Sequence, residues 1–129
     1  MSIAVRNLVG GAWGDATTGE VFERRNPADV REVVSAAPLS DRAEADGAVE
    51  AARAAFPGWR LMPAPKRGEI LFRAGEILVR RKSAMGQMVT REMGKVLSEG
   101  LGDVQEAIDM AFYMAGEGRR LSGETVPSE

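Results

Sequence analysis

The sequence contains neither cysteine nor histidine among its 129 residues. Without cysteine, the chain has no disulfide, no thiolate metal ligand and no thiol nucleophile. Without histidine, it also lacks the commonest general base and metal ligand. Catalysis within this chain would have to rest on carboxylates, lysines, serines or its single tyrosine, Tyr113. An independent small enzyme is therefore the least favoured interpretation.

The chain also has little net charge and no long hydrophobic run. Its 17 basic and 19 acidic residues give a net charge of -2, which provides no electrostatic attraction for nucleic acid or an anionic membrane. No apolar stretch approaches the ~20 residues that a membrane-spanning helix needs. The start also lacks the basic-then-apolar layout of a signal peptide. We expect one cytoplasmic domain with no nucleic acid or membrane partner.

The first 38 residues predict a small β-meander. Gly10 and Gly11 lie between two short apolar runs, as in a tight hairpin. A strand-like run at 20–24 precedes the turn at Asn26-Pro27, where asparagine can bond its own backbone and proline presets φ. A second β-type run covers 32–37. No helix follows the glycine pair, which argues against a phosphate-binding loop.

An amphipathic helix is expected after Asp41. Asp41 and Glu44 have the spacing of a capping box, with Ser40 as the alternative cap. A stripe of mostly small apolar residues recurs every three or four positions and predicts a buried face. Its members are Ala45, Ala48, Val49, Ala52, Ala55, Phe56 and Trp59. We expect Pro57-Gly58 to end this helix and Trp59 to anchor the core rather than stack on a ligand.

Two further helices are expected before Gly94. Pro65 suits the first turn of one of them. The basic run 80–82 would then lie at its end, where it complements the macrodipole or contacts a phosphate, and we favour the first role. Ser83 is a candidate cap for the next helix, whose methionines would fill gaps in the core. Gly94 can end that helix in the left-handed conformation.

The fourth and longest helix is predicted from about Val96 to Gly116. Gly102 and Glu106 are four residues apart on it and share a face. Gly102 could leave room for a ligand, or it could mark a close crossing of two helices beside a solvated glutamate. The sequence alone favours the crossing. Residues 117–129 are expected to form an extended tail, and the chain looks cut after it.

Six short motifs, by their order and spacing, carry a family resemblance. They are Gly10-Gly11-Ala12-Trp13, Asn26-Pro27 before Val33-Val34, Ala55-Phe56 with Trp59, Arg67-Gly68-Glu69-Ile70-Leu71, Glu92-Met93-Gly94-Lys95 and Ala115-Gly116. Together they resemble the N-terminal quarter of an aldehyde dehydrogenase. Stretches 99–106 and 123–129 are most similar to the α-aminoadipic semialdehyde branch and to bacterial semialdehyde dehydrogenases near it.

The resemblance implies an α/β fold and an organisation for this chain. Residues 1–129 would be the N-terminal portion of an NAD(P)-binding domain, with a β-meander at 1–38, a helical layer at 39–116 and the tail at 117–129. It also implies that the helix holding Gly102 and Glu106 lines the aldehyde entrance, with Glu106 steering a substrate amino group. Glu92 and the backbone carbonyls of Arg24 or Arg25 would correspond to a structural site for a monovalent cation.

The chemistry of the family lies outside this chain. It needs a cysteine nucleophile, NAD(P)+ as hydride acceptor and a glutamate-activated water. The residues that supply the nucleophile, activate the water and hold the dinucleotide lie further along the family sequence. We therefore predict no catalytic or cofactor-binding residue here, and NAD or NADP only for the complete oxidoreductase. The expected partners are the rest of the polypeptide, further copies in a homo-oligomer and a small aldehyde.

The alternative function is a non-catalytic helical interaction module or a truncated gene product. In the family, this layer covers a sheet that the chain does not supply, so alone it should expose a sizeable apolar face. An independent module should have polar residues on that face. The alanine and leucine stripes are intact, which favours the family segment.

Overall fold

The computed structural model describes residues 2–120 and 122–124. The strands come first: β1 (Ile3–Ala4), β2 (Asn7–Val9), β3 (Ala12–Gly14), β4 (Val21–Asn26) and β5 (Asp29–Pro38). The helices α1 (Arg42–Leu61), α2 (Ala64–Met93) and α3 (Leu97–Glu117) follow. The predicted order of β and then α elements is confirmed. Of the tail predicted at 117–129, positions 121 and 125–129 lie outside the described residues, and Glu117 still belongs to α3.

The strands form two sheets rather than one meander. One has the order β1-β5-β4, with β1 parallel and β4 antiparallel to β5. The other is the β2–β3 hairpin, whose turn residues Gly10 and Gly11 have φ values of 58° and 84°. The hairpin and its glycine turn were predicted. Strand β1 was missed, because two residues, Ile3 and Ala4, are too few to show a period.

Helix α1 begins as predicted but ends later. Asp41 Oδ1 accepts from the Glu44 backbone N–H at 2.9 Å, and Glu44 Oε2 accepts from the Asp41 N–H at 3.0 Å. This confirms the capping box. The helix then continues through Pro57 and Gly58 to Leu61, so the prediction that this pair ends it is wrong. Pro57 lacks the N–H that would donate to the Arg53 carbonyl, and the helix ends about one turn after it.

Helix α2 is one element of 30 residues where two were expected. Ser83 lies inside it and accepts from the Gln87 side chain at 3.4 Å, so it caps nothing. The basic run 80–82 is therefore in mid-helix, and Lys82 Nζ donates to Gln105 Oε1 on α3 at 2.6 Å. The long partner α3 stabilises α2 through tertiary packing that the sequence pattern did not show. The described residues thus contain three helices instead of four.

Helices α2 and α3 form an antiparallel hairpin with glycine at its closest contacts. A Cβ built on Gly100 would lie 2.6 Å from both the Gly86 carbonyl oxygen and Thr90 Oγ1. At the other end of the hairpin, a Cβ on Gly68 would overlap the Ala115 carbonyl oxygen. Glycine is required at these positions because the two backbones approach so closely.

The buried apolar core is small, and much of the apolar surface faces outward. Val34 on β5, and Val104 and Ile108 on α3, are at most 4% exposed. No residue of α1 is buried. Trp59 is 44% exposed and lies 5.9 Å from the Arg67 guanidinium, so it does not anchor a core. The predicted exposure of a large apolar face is confirmed. Among the described residues, no helix has the length and apolar character needed to span a membrane.

Replacing Gly100 with alanine should destabilise the chain by about 1–3 kcal/mol, because the new methyl group would overlap the facing backbone of α2. Gly102 lies two residues further along α3, and a Cβ added there would have no other atom within 4 Å. Gly102→Ala should therefore be neutral or stabilise by up to about 1 kcal/mol. Urea unfolding, monitored by far-UV circular dichroism, measures the free energy of unfolding of both variants. Equal effects would contradict the backbone-contact explanation.

Candidate functional site

The C-terminal end of α2 is fixed against the turn between β4 and β5. Gly94 ends the helix at φ 70°, and its N–H donates to the Thr90 carbonyl at 2.9 Å. A Cβ on Gly94 would lie 2.9 Å from the Ala28 nitrogen and 3.1 Å from Pro27 Cβ. Within the turn, Asn26 Oδ1 accepts from the Ala28 N–H at 2.9 Å. Both the backbone conformation and the close approach therefore require glycine at this join.

Glu32 on β5 connects the turn to α2. Its Oε1 accepts from Arg91 Nε at 2.7 Å, and its Oε2 accepts from Asn26 Nδ2 at 2.8 Å. The hydrogen bonds from Asn26 and then Arg91 lower the pKa of Glu32. The carboxylate is therefore charged at neutral pH, and it joins the sheet to the helical hairpin.

The residues assigned to a monovalent cation lie next to this junction. Arg24 Nη2 is 3.5 Å from Glu92 Oε1, so a guanidinium already balances the charge of that carboxylate. The register of β4 shifts between Arg24 and Arg25 and again before Asn26, which places these carbonyls outside a regular ladder. A cation at Glu92 would have to compete with Arg24. Within 2–120 and 122–124, no three His, Cys, Asp or Glu side chains form a metal-binding group.

Lys95 reaches from the join onto an acidic face of α3. Its Nζ lies 2.6 Å from Asp103 Oδ2. The hydrogen bond to Asp103, together with the charges of Asp103, Glu99 and Glu106, raises the pKa of Lys95. These three carboxylates recur at four- and three-residue spacing and so share one face. The ammonium group therefore lies within the electrostatic reach of Glu106.

The predicted entrance residues are on the exposed surface of α3. Gly102 and Glu106 are both exposed, and Gly102 is not at a helix crossing, which the structure places at Gly100 instead. The ion pair of Lys95 with Asp103 was not predicted from the sequence. Lys95 lies in the join and Asp103 lies two turns into the helix, so no helical period relates them.

Comparison with known proteins identifies the family. The model for the aldehyde dehydrogenase family matches residues 13–129. An α-ketoglutarate semialdehyde dehydrogenase of Haloferax volcanii is 42% identical over 118 residues, which are 92% of this chain and 24% of the relative. Malonate-semialdehyde dehydrogenase 3 of Geobacillus kaustophilus is 39% identical over 123 residues, which are 95% of this chain and 25% of the relative.

A solved structure shows the same architecture. The NAD-dependent aldehyde dehydrogenase from Sinorhizobium meliloti matches with a TM-score of 0.91 and 28% identity, over 96% of this chain and 25% of that protein. The chain belongs to the aldehyde dehydrogenase family. It spans about a quarter of the length of the relatives that it matches. The resemblance and the α/β family fold expected from it are confirmed, and the α-aminoadipic branch stays a prediction.

Glu32→Gln should lower the free energy of unfolding at neutral pH and have a much smaller effect in acid. A depressed pKa means that the carboxylate stabilises the folded chain above its unfolded pKa of about 4.3. This contribution is lost as the pH falls through the lower folded pKa. Urea unfolding of both proteins across this acid-to-neutral range measures the difference.

Glu50→Gln is the matched control for this change. It removes the Glu50–Arg53 pair on α1, in which both side chains are more than half exposed. Such a pair should contribute less than about 1 kcal/mol at any pH. If the Glu32→Gln difference were independent of pH, the charge of Glu32 would not be its source.

Proposed function

We propose that this chain is the N-terminal layer of an NAD(P)-dependent aldehyde dehydrogenase whose complete polypeptide oxidises a semialdehyde to a carboxylic acid. One observation carries this proposal. Relatives named as semialdehyde dehydrogenases match 92–95% of this chain at about 40% identity, while the chain covers only 24–25% of their length. The activity would then belong to the longer polypeptide, because the chain has no cysteine to act as the nucleophile.

The role of this chain in that polypeptide would be to pack and to position. Between positions 70 and 79 of α2, large apolar side chains are exposed, with exposed fractions from 41% to 52%. They are Ile70, Leu71, Phe72, Ile77 and Val79. Apolar surface of this extent supports a covering partner, which we propose to be the remainder of the same polypeptide. A separate interaction module is less well supported, because polar residues have not replaced this face.

The complete enzyme would use NAD or NADP, act on a small aldehyde and form a homo-oligomer. The similar S. meliloti protein is NAD-dependent, which supports a nicotinamide cofactor. At 28% identity, this similarity does not select between NAD and NADP for the present chain. We place no cofactor-binding residue in this chain. When bound, the cofactor would accept the hydride, and this chain would supply part of the wall around the substrate.

Gly102 and Glu106 are the residues of this wall that we propose to line the aldehyde entrance. A Cβ built on Gly102 would meet no other atom within 4 Å, which is compatible with a ligand there, and Glu106 adds a negative charge four residues away. A carboxylate there would favour an aldehyde that carries an amino group. The monovalent cation site at Glu92 and the carbonyls of Arg24 or Arg25 is a weaker proposal, supported by the register shift in β4.

A chimera tests the proposed function. Residues 1–129 replace the matched segment of the G. kaustophilus malonate-semialdehyde dehydrogenase, and NAD(P)H formation is followed with malonate semialdehyde and other aldehydes. We expect an active, folded chimera and no activity from the 129-residue chain alone. The control is the same chimera with the nucleophilic cysteine of the Geobacillus part replaced by alanine. A folded chimera as inactive as that control would contradict the proposal.

Glu106→Gln in this chimera should raise KM for an amino-bearing semialdehyde about tenfold or more, because it removes a charge-assisted hydrogen bond. KM for malonate semialdehyde, which carries no amino group, should not rise. Asp109→Asn is the control for the loss of a negative charge on α3, because Asp109 Oδ1 already accepts from Gln105 Nε2 at 2.8 Å. Equal changes in KM for both aldehydes would contradict a role of Glu106 in substrate selection.

A further inference from the structure

Lysine is rare in this chain, and its amine is the side-chain group that forms imines with aldehydes. The sequence has three lysines against fourteen arginines. A neutral lysine amine attacks a carbonyl carbon to give an imine, whereas a guanidinium stays protonated at every ordinary pH. The side-chain amines able to react in this way are therefore those of Lys66, Lys82 and Lys95.

The three lysines donate to oxygens of different kinds. Lys66 Nζ lies 3.0 Å from a carboxylate oxygen one turn further along α2, and its side chain is 64% exposed. Lys82 Nζ donates to the neutral side-chain amide of Gln105 at 2.6 Å. Lys95 Nζ donates to Asp103 Oδ2 at 2.6 Å, and its side chain is only 22% exposed. Lys95 thus combines a carboxylate partner on another element with limited exposure to solvent.

The surroundings of Lys95 keep its amine in the ammonium form. The hydrogen bond to Asp103 is the main cause that raises the pKa of Lys95, and the charges of Asp103, Glu99 and Glu106 act in the same direction. An ammonium group has no lone pair with which to attack a carbonyl. Lysines that enzymes use for imine chemistry have the opposite setting, an apolar pocket or a cationic neighbour that lowers the pKa. Lys95 is therefore held in its unreactive form.

The partner of Lys95 lies on the same face of α3 as the proposed aldehyde entrance. Asp103 is three residues before Glu106 and next to Gly102, so all three positions are within one turn of the helix. The charge of Glu106 also acts on the Lys95 ammonium. An aldehyde collected at this entrance would therefore reach Lys95 at a raised local concentration.

We infer that Lys95 is a site at which aldehydes form an imine, and that its ion pair with Asp103 keeps it unreactive beside the proposed entrance. The location of the aldehyde rests on the proposed function, whereas the chemistry of the ion pair does not. In the reaction, the ammonium first loses a proton to solvent, which the Asp103 carboxylate opposes. The amine nitrogen then bonds to the carbonyl carbon, and the carbonyl oxygen leaves as water. No oxidant or reductant is consumed.

Reductive alkylation measures the reactivity of each lysine. The Geobacillus chimera, without NAD(P)+, is treated with propanal and sodium cyanoborohydride, which reduces each imine to a stable secondary amine. Peptide mass spectrometry gives the rate at each lysine, which is divided by the rate of the same lysine in guanidinium chloride. We expect this ratio to be about fivefold or more lower for Lys95 than for Lys66, because one pKa unit changes the fraction of free amine about tenfold.

Three variants test whether Asp103 is the cause. Asp103→Asn should raise the ratio for Lys95 about threefold or more and leave Lys66 and Lys82 unchanged, whereas Asp103→Glu keeps the carboxylate and should keep Lys95 protected. Asp109→Asn is the matched control, because it removes a charge from α3 that is not among those acting on Lys95. An unchanged Lys95 ratio in Asp103→Asn, an equal rise in Asp109→Asn, or a rise shared by all three lysines would overturn the inference.

The reactivity of Lys95 and the dehydrogenase activity are measured independently, since the labelling needs no hydride acceptor. An active chimera in which Asp103→Asn leaves the Lys95 rate unchanged would refute the inference and leave the dehydrogenase proposal standing. A folded but inactive chimera with the expected labelling would contradict the dehydrogenase proposal and leave the protection of Lys95 by Asp103 standing.

Discussion

The close backbone contact between α2 and α3 is the constraint on which the described structure depends. At Gly100 and Gly68 the facing chain occupies the space of a side chain. The two long helices therefore form one hairpin in a single register, and the core residues Val104 and Ile108 lie on its α3 side. Packing of this kind is intolerant of even one added methyl group. The join at the end of α2 then contacts the turn between β4 and β5.

The candidate site lies at the end of α2, where the helical hairpin meets the turn between β4 and β5. The Asn26 turn contacts Gly94, and Glu32 joins the turn to Arg91. Lys95 follows directly and pairs with Asp103 on the next helix. A structural joint and the acidic face of α3 are therefore adjacent in sequence and in space.

Local features were predictable from the sequence, and features set by distant contacts were not. The capping box of Asp41 and Glu44 and the helix stop at Gly94 depend on residues within one turn, so their spacing was enough. Ser83 looked like a helix start because a serine can cap, but packing against α3 carried the helix through it. The pairing of Lys95 with an α3 carboxylate needs the fold itself. Family motifs supplied the candidate entrance residues, which periodicity alone would have left as a helix surface.

The join between α2 and α3 has a consequence for how the family can diverge in length. Only Gly94, Lys95 and Val96 separate the two helices. A change of length in so short a connection would shift α3 out of the register that brings Gly100 against Gly86. A larger side chain would then meet the opposing backbone. Most surface loops accept insertions and deletions readily, but this one sets the register of one helix against the other, so its length is constrained even where its residue types are not.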